Sequence, residues 1–196
     1  MWIFSTVIKN QQSEKNKSDN PIDIFNSMSS SSLKEELWIE SLRDYQQTIL
    51  SEWYSKVSTN LNSWHYSIDI ETWAWKTLIG LLMAESLRIK NNKKIVYLCV
   101  TRELVNEVYD KARKMGSIKV SSYLWWSSGW QNQEDYLANL SILITTYDAL
   151  LNYKSIFKSH DIDWIVFDDF HRYSDINARS NIFEIAWEEY REFLTM

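Results

Sequence analysis

The chain has 196 residues, a net charge of −5, 45% hydrophobic and 24% charged residues, which is enough for one α/β-sized core and too acidic for a uniformly basic nucleic-acid surface, though a local groove is compatible. There is no apolar run of membrane-spanning length, and Met1 to Ile8 lack the basic start and small-residue cleavage site of a signal peptide. The single Cys99 excludes an intrachain disulfide and favours a reducing, cytoplasmic setting.

Residues 9–35 are polar and low in complexity, close on the Ser29 to Ser32 run, and read as a mobile lead-in with a short helix around Ile22 to Met28. The expected organisation is a flexible tail over 1–36 and one incomplete folded unit over 37–196. Leu42, Tyr45, Ile49, Trp53 and Val57 recur at helical spacing and predict an amphipathic helix. Apolar runs and helical segments then alternate. A strand is predicted at Tyr66 to Ile70, a helix at Lys76 to Lys90, a strand at Lys94 to Val100 and a helix at Glu103 to Met115. Next come a strand at Ile118 to Tyr123, a helix at Gln133 to Ala138, a strand at Ser141 to Thr145, a turn of helix at Tyr147 to Asn152 and a strand at Trp164 to Phe167. Residues 179–194 add a last amphipathic pattern. This alternation predicts βαβ units in a mostly parallel, doubly wound α/β sheet, whose ligands bind at the carboxyl ends of the strands. Cys99, inside an apolar run, is expected to be a buried structural thiol.

The segment Ile70-Glu71-Thr72-Trp73-Ala74-Trp75-Lys76-Thr77 lies between a predicted strand and a predicted helix, the setting of a phosphate-binding loop. Tryptophan occupies both places where glycine is needed; with two glycines restored the segment reads ETGAGKT. Such a loop cradles polyphosphate with backbone N–H groups and a helix N-terminus, and glycine lets the backbone approach and take positive φ. The bland reading is a surface Lys-Thr pair opening a helix. Composition is skewed in the same direction, with 3 Gly, 1 Pro and 11 Trp, where about 14 Gly and about 10 Pro are ordinary for this length. Trp125 and Trp126, in Trp125-Trp126-Ser127-Ser128-Gly129-Trp130, also stand where a turn takes small residues. The hypothesis that follows is that many tryptophans occupy former glycine positions, through substitution, sequence decay or decoding. A coding sequence with unrelated codons at these tryptophans would count against it.

A second element, Trp164-Ile-Val-Phe-Asp-Asp-Phe-His171, is an apolar strand ending in paired carboxylates. Asp168 suits Mg²⁺, mostly through water, and Asp169 suits orienting or deprotonating an attacking water. The alternative is a solvated acidic pair closing a strand. Trp125, Trp126 and Trp130 could stack bases, but no basic cluster accompanies them and a packing role is preferred. Lys111, Arg113 and Lys114 read as a solvated helix face.

In their order along the chain these elements resemble the superfamily 2 helicases of the DEAD/DEAH box type, in particular the N-terminal RecA-like ATP-binding domain, over roughly residues 37–172. Leu42-Arg43-Asp44-Tyr45-Gln46 is similar to the LRxYQ segment, in which the resemblance implies that Gln46 reads adenine. Ile70 to Thr77 is similar to motif I, implying that Thr72, Trp73, Ala74, Trp75, Lys76 and Thr77 line the ATP phosphates, with Lys76 catalytic and the Thr77 hydroxyl on Mg²⁺. Val100-Thr101-Arg102-Glu103-Leu104 is similar to motif Ia and Thr145-Thr146-Tyr147 to the TTY element, implying that Thr101, Arg102, Thr145 and Thr146 line a DNA or RNA track. Asp168-Asp169-Phe170-His171 is similar to motif II, implying Asp168 as the metal ligand and Asp169 as the catalytic carboxylate.

The departures are specific. Trp73 and Trp75 replace the loop glycines, Glu71 and Val100 stand where proline is usual, and Asp169 and Phe170 replace Glu and Ala. Asp for Glu shortens a general base by one methylene. Two indoles in the loop are expected to weaken nucleotide binding by several kcal/mol, on the order of a thousandfold. No clear Ser-Ala-Thr motif follows, and a second RecA-like domain or a partner chain is expected to complete the ATP site. Two functions are therefore carried forward: the ATP-binding domain of a helicase or nucleic-acid-dependent ATPase, and a non-hydrolysing fragment that binds nucleic acid or protein.

Overall fold

The computed structural model describes residues 17–28, 41–59, 76–124, 129–152 and 162–168. Three helices come first: α1 (Pro21–Ser27), α2 (Asp44–Thr59) and α3 (Lys76–Asn91). The sheet region then follows as β1 (Ile95–Cys99), α4 (Arg102–Lys114), β2 (Val120–Leu124), β3 (Gly129–Gln131), α5 (Gln133–Leu137), β4 (Ile142–Thr146), α6 (Tyr147–Asn152) and β5 (Trp164–Phe167). The strand order is β3-β2-β4-β1-β5. β1 pairs in parallel with β4 and β5, β2 pairs in parallel with β4, and β3 alone runs antiparallel, to β2. The doubly wound α/β expectation is met, with strand and helix ends shifted by one or two residues.

Both sheet faces are covered, as the continuous apolar strands require. Ile95, Tyr97 and Cys99 of β1 and Ile142 and Ile144 of β4 face a core shared with the buried residues of α1 to α4. Val96, Leu98 and Leu143 face a second core with Tyr136 of α5 and Tyr147, Ala149 and Leu150 of α6. Cys99 is buried as expected, and burial, followed by the charges of Asp168 and Glu107, pushes its thiol pKa far above the ordinary value. Trp53 is also buried, and Trp164 packs against the first core. Trp130 packs between Tyr123, tilted against it at 5.0 Å, and Tyr136, stacked at 5.9 Å, the packing role expected for it.

Three features differ from the sequence reading. The lead-in is docked over residues 17–28: Asn20 caps α1 through Ile22 N–H at 2.9 Å, with Pro21 at its start, and Ile24 and Met28 are buried. Asp19 anchors this segment, its carbonyl accepting from Ser86 at 2.6 Å and its carboxylate from Tyr54 at 2.9 Å. The buried stripe of α2 runs through Gln46, Leu50, Trp53 and Val57, while Tyr45 is exposed; period 3.6 admits either neighbour, and the docking of α1 and α3 selects the face. The short strand β3 was not anticipated, because three residues are too few for a period-two signal. The strand predicted at 66–70 and the pattern at 179–194 lie outside the described residues.

With few glycines, asparagine takes most of the left-handed turn positions among the described residues: Asn92, Asn132 and Asn139 have φ of 49°, 56° and 59°, beside Gly116 and Gly129. Asn139 also accepts from Arg88 Nη1 at 2.9 Å. Arg88 forks onto Glu85 one turn earlier in α3, at 2.8 and 2.7 Å, and these side chains are 2% and 0% exposed. Removing one partner strands a buried charge, whereas replacing both with apolar groups need not destabilise. Urea unfolding should therefore show Arg88→Ala losing about 3–5 kcal/mol and a Glu85→Leu, Arg88→Met double variant recovering most of it. A thiol reagent at pH 8 should leave Cys99 unmodified in the folded chain and label it fully in denaturant.

Candidate functional site

Lys76 and Thr77 open α3, whose first turn carries no acidic residue. A helix start presents unpaired N–H groups and a positive dipole end, so it suits an anion. Ninety-one residues later in the chain, Asp168 follows directly on β5, and Thr77 Oγ1 donates to its Oδ2 at 3.3 Å. Backbone pairing fixes the carboxylate there: β5 lies against β1 with Phe167 opposite Leu98, and the Asp168 N–H continues the ladder to the Leu98 carbonyl at 3.0 Å. Asp168 is 7% exposed. The sequence-predicted pair Thr77 and Asp168 is thus brought together at the carboxyl end of a parallel sheet, where ligands of such sheets sit.

A carboxylate and a hydroxyl oxygen in contact form a hard-oxygen donor pair of the kind Mg²⁺ takes while keeping waters and substrate phosphates as its remaining ligands. The residues fit that ion in this limited manner. Among the described residues no group of three or more His, Cys, Asp or Glu side chains gathers that could hold a metal by itself.

Tyr97 of β1 was not singled out from the sequence. It is 1% exposed, and burial first, then the Asp168 charge, raise its pKa well above the ordinary phenol value. A Cβ added to Gly80, one turn after Thr77, would come within 3.1 Å of Tyr97 Cε2 and of its hydroxyl oxygen. The available signal was a tyrosine amid the apolar residues of β1 together with a glycine in the interior of α3.

The other candidates lie nearby or elsewhere. Thr101 caps α4, accepting from Leu104 N–H at 3.2 Å, and Arg102 beside it is exposed. Cys99 stands opposite Thr146 and Leu98 opposite Thr145, so the carboxyl ends of β1 and β4 are level. Thr145 is fully buried and donates to the Tyr123 carbonyl at 2.9 Å, which withdraws its hydroxyl from the surface. Thr146 is 7% exposed, and its hydroxyl accepts from Ala149 N–H at 3.2 Å. Gln46 is 1% exposed and its Oε1 accepts from Arg43 N–H at 2.9 Å, the side-chain half of a capping box at the head of α2. Lys111 pairs with Glu107 on α4 and Arg113 lies over the Tyr109 ring at 5.7 Å, in keeping with a solvated face. Thr72, Trp73, Ala74, Trp75 and Asp169 lie outside the described residues, as do Phe170, His171, Trp125 and Trp126. No described helix is long and apolar enough to cross a membrane.

Among curated proteins none matches the chain. The family model for DEAD/DEAH box helicases matches residues 43–192, a span that includes the cap of α2, the head of α3, the sheet and Asp168. With that match and a parallel sheet that joins Thr77 to Asp168, the chain belongs to the DEAD/DEAH box helicase family, its α/β fold being that of the RecA-like domain.

Proposed function

We propose that this chain is the nucleotide-binding N-terminal domain of a helicase or nucleic-acid-dependent ATPase, with Mg²⁺–ATP as its ligand. The observation that carries this reading is the Thr77 to Asp168 contact at 3.3 Å, which joins a helix start to the end of a distant strand. Lys76 places a cation at the phosphates. Thr77 and Asp168 would hold Mg²⁺, which would supply neutralisation of phosphate charge. Asp169 orients or deprotonates water at the next position of the chain. The Arg43 N–H bond to Oε1 ties Gln46, the side chain that would read adenine, to the head of α2.

Nucleic acid, DNA or RNA, is assigned to the edge formed by Thr101, Arg102, Thr145 and Thr146. Arg102 supplies the charge there, whereas the two threonines of β4 act through position and backbone because their hydroxyls are engaged inside. A second RecA-like domain or a partner chain completes the site, and the cytoplasm is its proposed setting.

Trp73 and Trp75 favour a second reading: a domain that no longer hydrolyses ATP and serves as a binding module. The two readings separate by calorimetry with Mg²⁺–ATP on the unmodified chain and on a Trp73→Gly, Trp75→Gly double variant. The double variant is expected to bind at micromolar concentration and the unmodified chain on the order of a thousandfold more weakly. Equal affinity would show that the loop accommodates indoles. Absence of binding by both would refute the nucleotide assignment and leave the binding module. Peptide mass spectrometry of the protein from its native source, across residues 73 and 75, decides whether tryptophan or glycine stands there.

A further inference from the structure

We propose that Asp19 is a positioning residue for the nucleotide: by tying α2 to α3 it holds the helix of Gln46 in place against the helix of Lys76 and Thr77, and so sets how strongly adenine is read; this rests on the nucleotide reading above.

The two helices carry the two halves of the assigned site. Gln46 stands in the first turn of α2, and Lys76 and Thr77 open α3. Their packing is largely indirect. α1 lies against both, and each of them meets α1 more extensively than it meets the other. Ile24 and Met28, from the α1 segment, belong to one core with Leu50 and Trp53 of α2 and Leu82 of α3. Lys90 of α3 also reaches α2, donating to Ser58 Oγ at 2.8 Å and lying 5.0 Å from the centre of the Tyr54 ring, but its hydrogen bond is exposed to water.

Asp19 makes the tie with both of its acceptors. Its carboxylate Oδ1 accepts from the Tyr54 hydroxyl of α2 at 2.9 Å, and its backbone carbonyl accepts from the Ser86 hydroxyl of α3 at 2.6 Å. Ser86 is 1% exposed. A serine inside a helix ordinarily turns its hydroxyl to solvent or to the preceding turn; this one crosses to another segment. Asp19 is itself held, because Asn20 caps α1 and Ser18 accepts from Asn20 N–H at 3.2 Å while donating to Asp23 at 2.8 Å. One residue thus joins three helices.

The tie acts at a distance from the ligand. Tyr54 lies more than two turns beyond Gln46, and Ser86 as far beyond Thr77, which is about 12–14 Å along each axis. Over that length a tilt of about 5° moves a helix head by about 1 Å, enough to break a hydrogen bond. Adenine reading is the contact exposed to such a tilt, since it needs α2 and α3 together, whereas the phosphates meet Lys76 and Thr77 on α3 alone.

The test separates base reading from phosphate binding. Calorimetry with Mg²⁺–ATP, Mg²⁺–GTP and Mg²⁺–tripolyphosphate is run on the native loop and on the Trp73→Gly, Trp75→Gly background. Each carries Asp19→Ala, Asp19→Asn, Tyr54→Phe or Ser86→Ala in turn, with cooperative unfolding checked in urea. Asp19→Ala, Tyr54→Phe and Ser86→Ala are each expected to lower ATP affinity about tenfold, the worth of one hydrogen bond. Tripolyphosphate affinity is expected to stay unchanged, and the preference for ATP over GTP to narrow by the same factor. Asp19→Asn keeps an acceptor for Tyr54 and is expected to rescue the preference. Asp19→Ala combined with Tyr54→Phe is expected to add nothing further, because both cut one bond. Unchanged ATP affinity in Asp19→Ala and Tyr54→Phe overturns this proposal alone. An equal loss for ATP and tripolyphosphate overturns it as well, because the tie is then only structural. Equal binding of ATP and GTP before any of these substitutions removes the adenine assignment and this proposal with it. Failure of both loop backgrounds to bind ATP or tripolyphosphate overturns the nucleotide reading and this proposal together.

Discussion

The parallel pairing of β1 with a strand on each side is the constraint on which the site depends. Val96 to Cys99 align with Leu143 to Thr146 on one flank, and Ile95 to Leu98 align with Trp164 to Phe167 on the other. A parallel ladder sets where each strand ends relative to its neighbours, so residues that follow different strands emerge at one edge. Asp168, Thr101 and Thr146 share that edge for this reason, although long stretches of sequence separate them. A one-residue slip of β5 would turn Trp164 and Val166 to the opposite face and carry Asp168 away from Thr77. The continuous apolar character of these strands secures the register, since each inner residue is matched to a core on its own side of the sheet.

Much of this was readable from sequence because the signals were long. α3 and α4 announce themselves through length and periodicity, and β1, β4 and β5 are apolar runs rich in β-branched and aromatic residues bounded by polar ones. The Thr77 and Asp168 pairing was legible as well, because both flank such elements in a recognisable order. What escaped was tertiary. Tyr45 and Gln46 fit the helical stripe of α2 comparably, and only packing decides that Gln46 turns inward. Asn20-Pro21 is a sound helix start, yet the polarity around it concealed that Ile24 and Met28 reach the core. Thr145 carried the right pattern for a surface role, and nothing local shows that the Tyr123 carbonyl claims its hydroxyl.

The tryptophans divide by environment. Trp53, Trp130 and Trp164 behave as aromatic residues should, filling a core or stacking on tyrosines. Trp73 and Trp75 lie outside the described residues, at the two places where the proposed phosphate-binding loop would take glycine. Asn92, Asn132 and Asn139 adopt left-handed backbone that asparagine, alone among common polar residues besides aspartate, tolerates well. A chain short of glycine can therefore still close its described turns, but asparagine does not give the bare backbone that a phosphate requires.

The helix that Lys76 and Thr77 open is buried along most of its length, from Leu78 to Arg88, with Gly80 half-covered against Tyr97. Local openings in proteins begin where backbone hydrogen bonds meet water and apolar contacts are few. By that measure α3 is late to open among the described residues, and β1, with every residue buried, belongs with it. Thr77 and the strand that positions Asp168 are thus attached to this late-opening unit. Fluctuations at the periphery, including the fraying of α1 or of the β3 edge, can proceed without changing the spacing between the two oxygens.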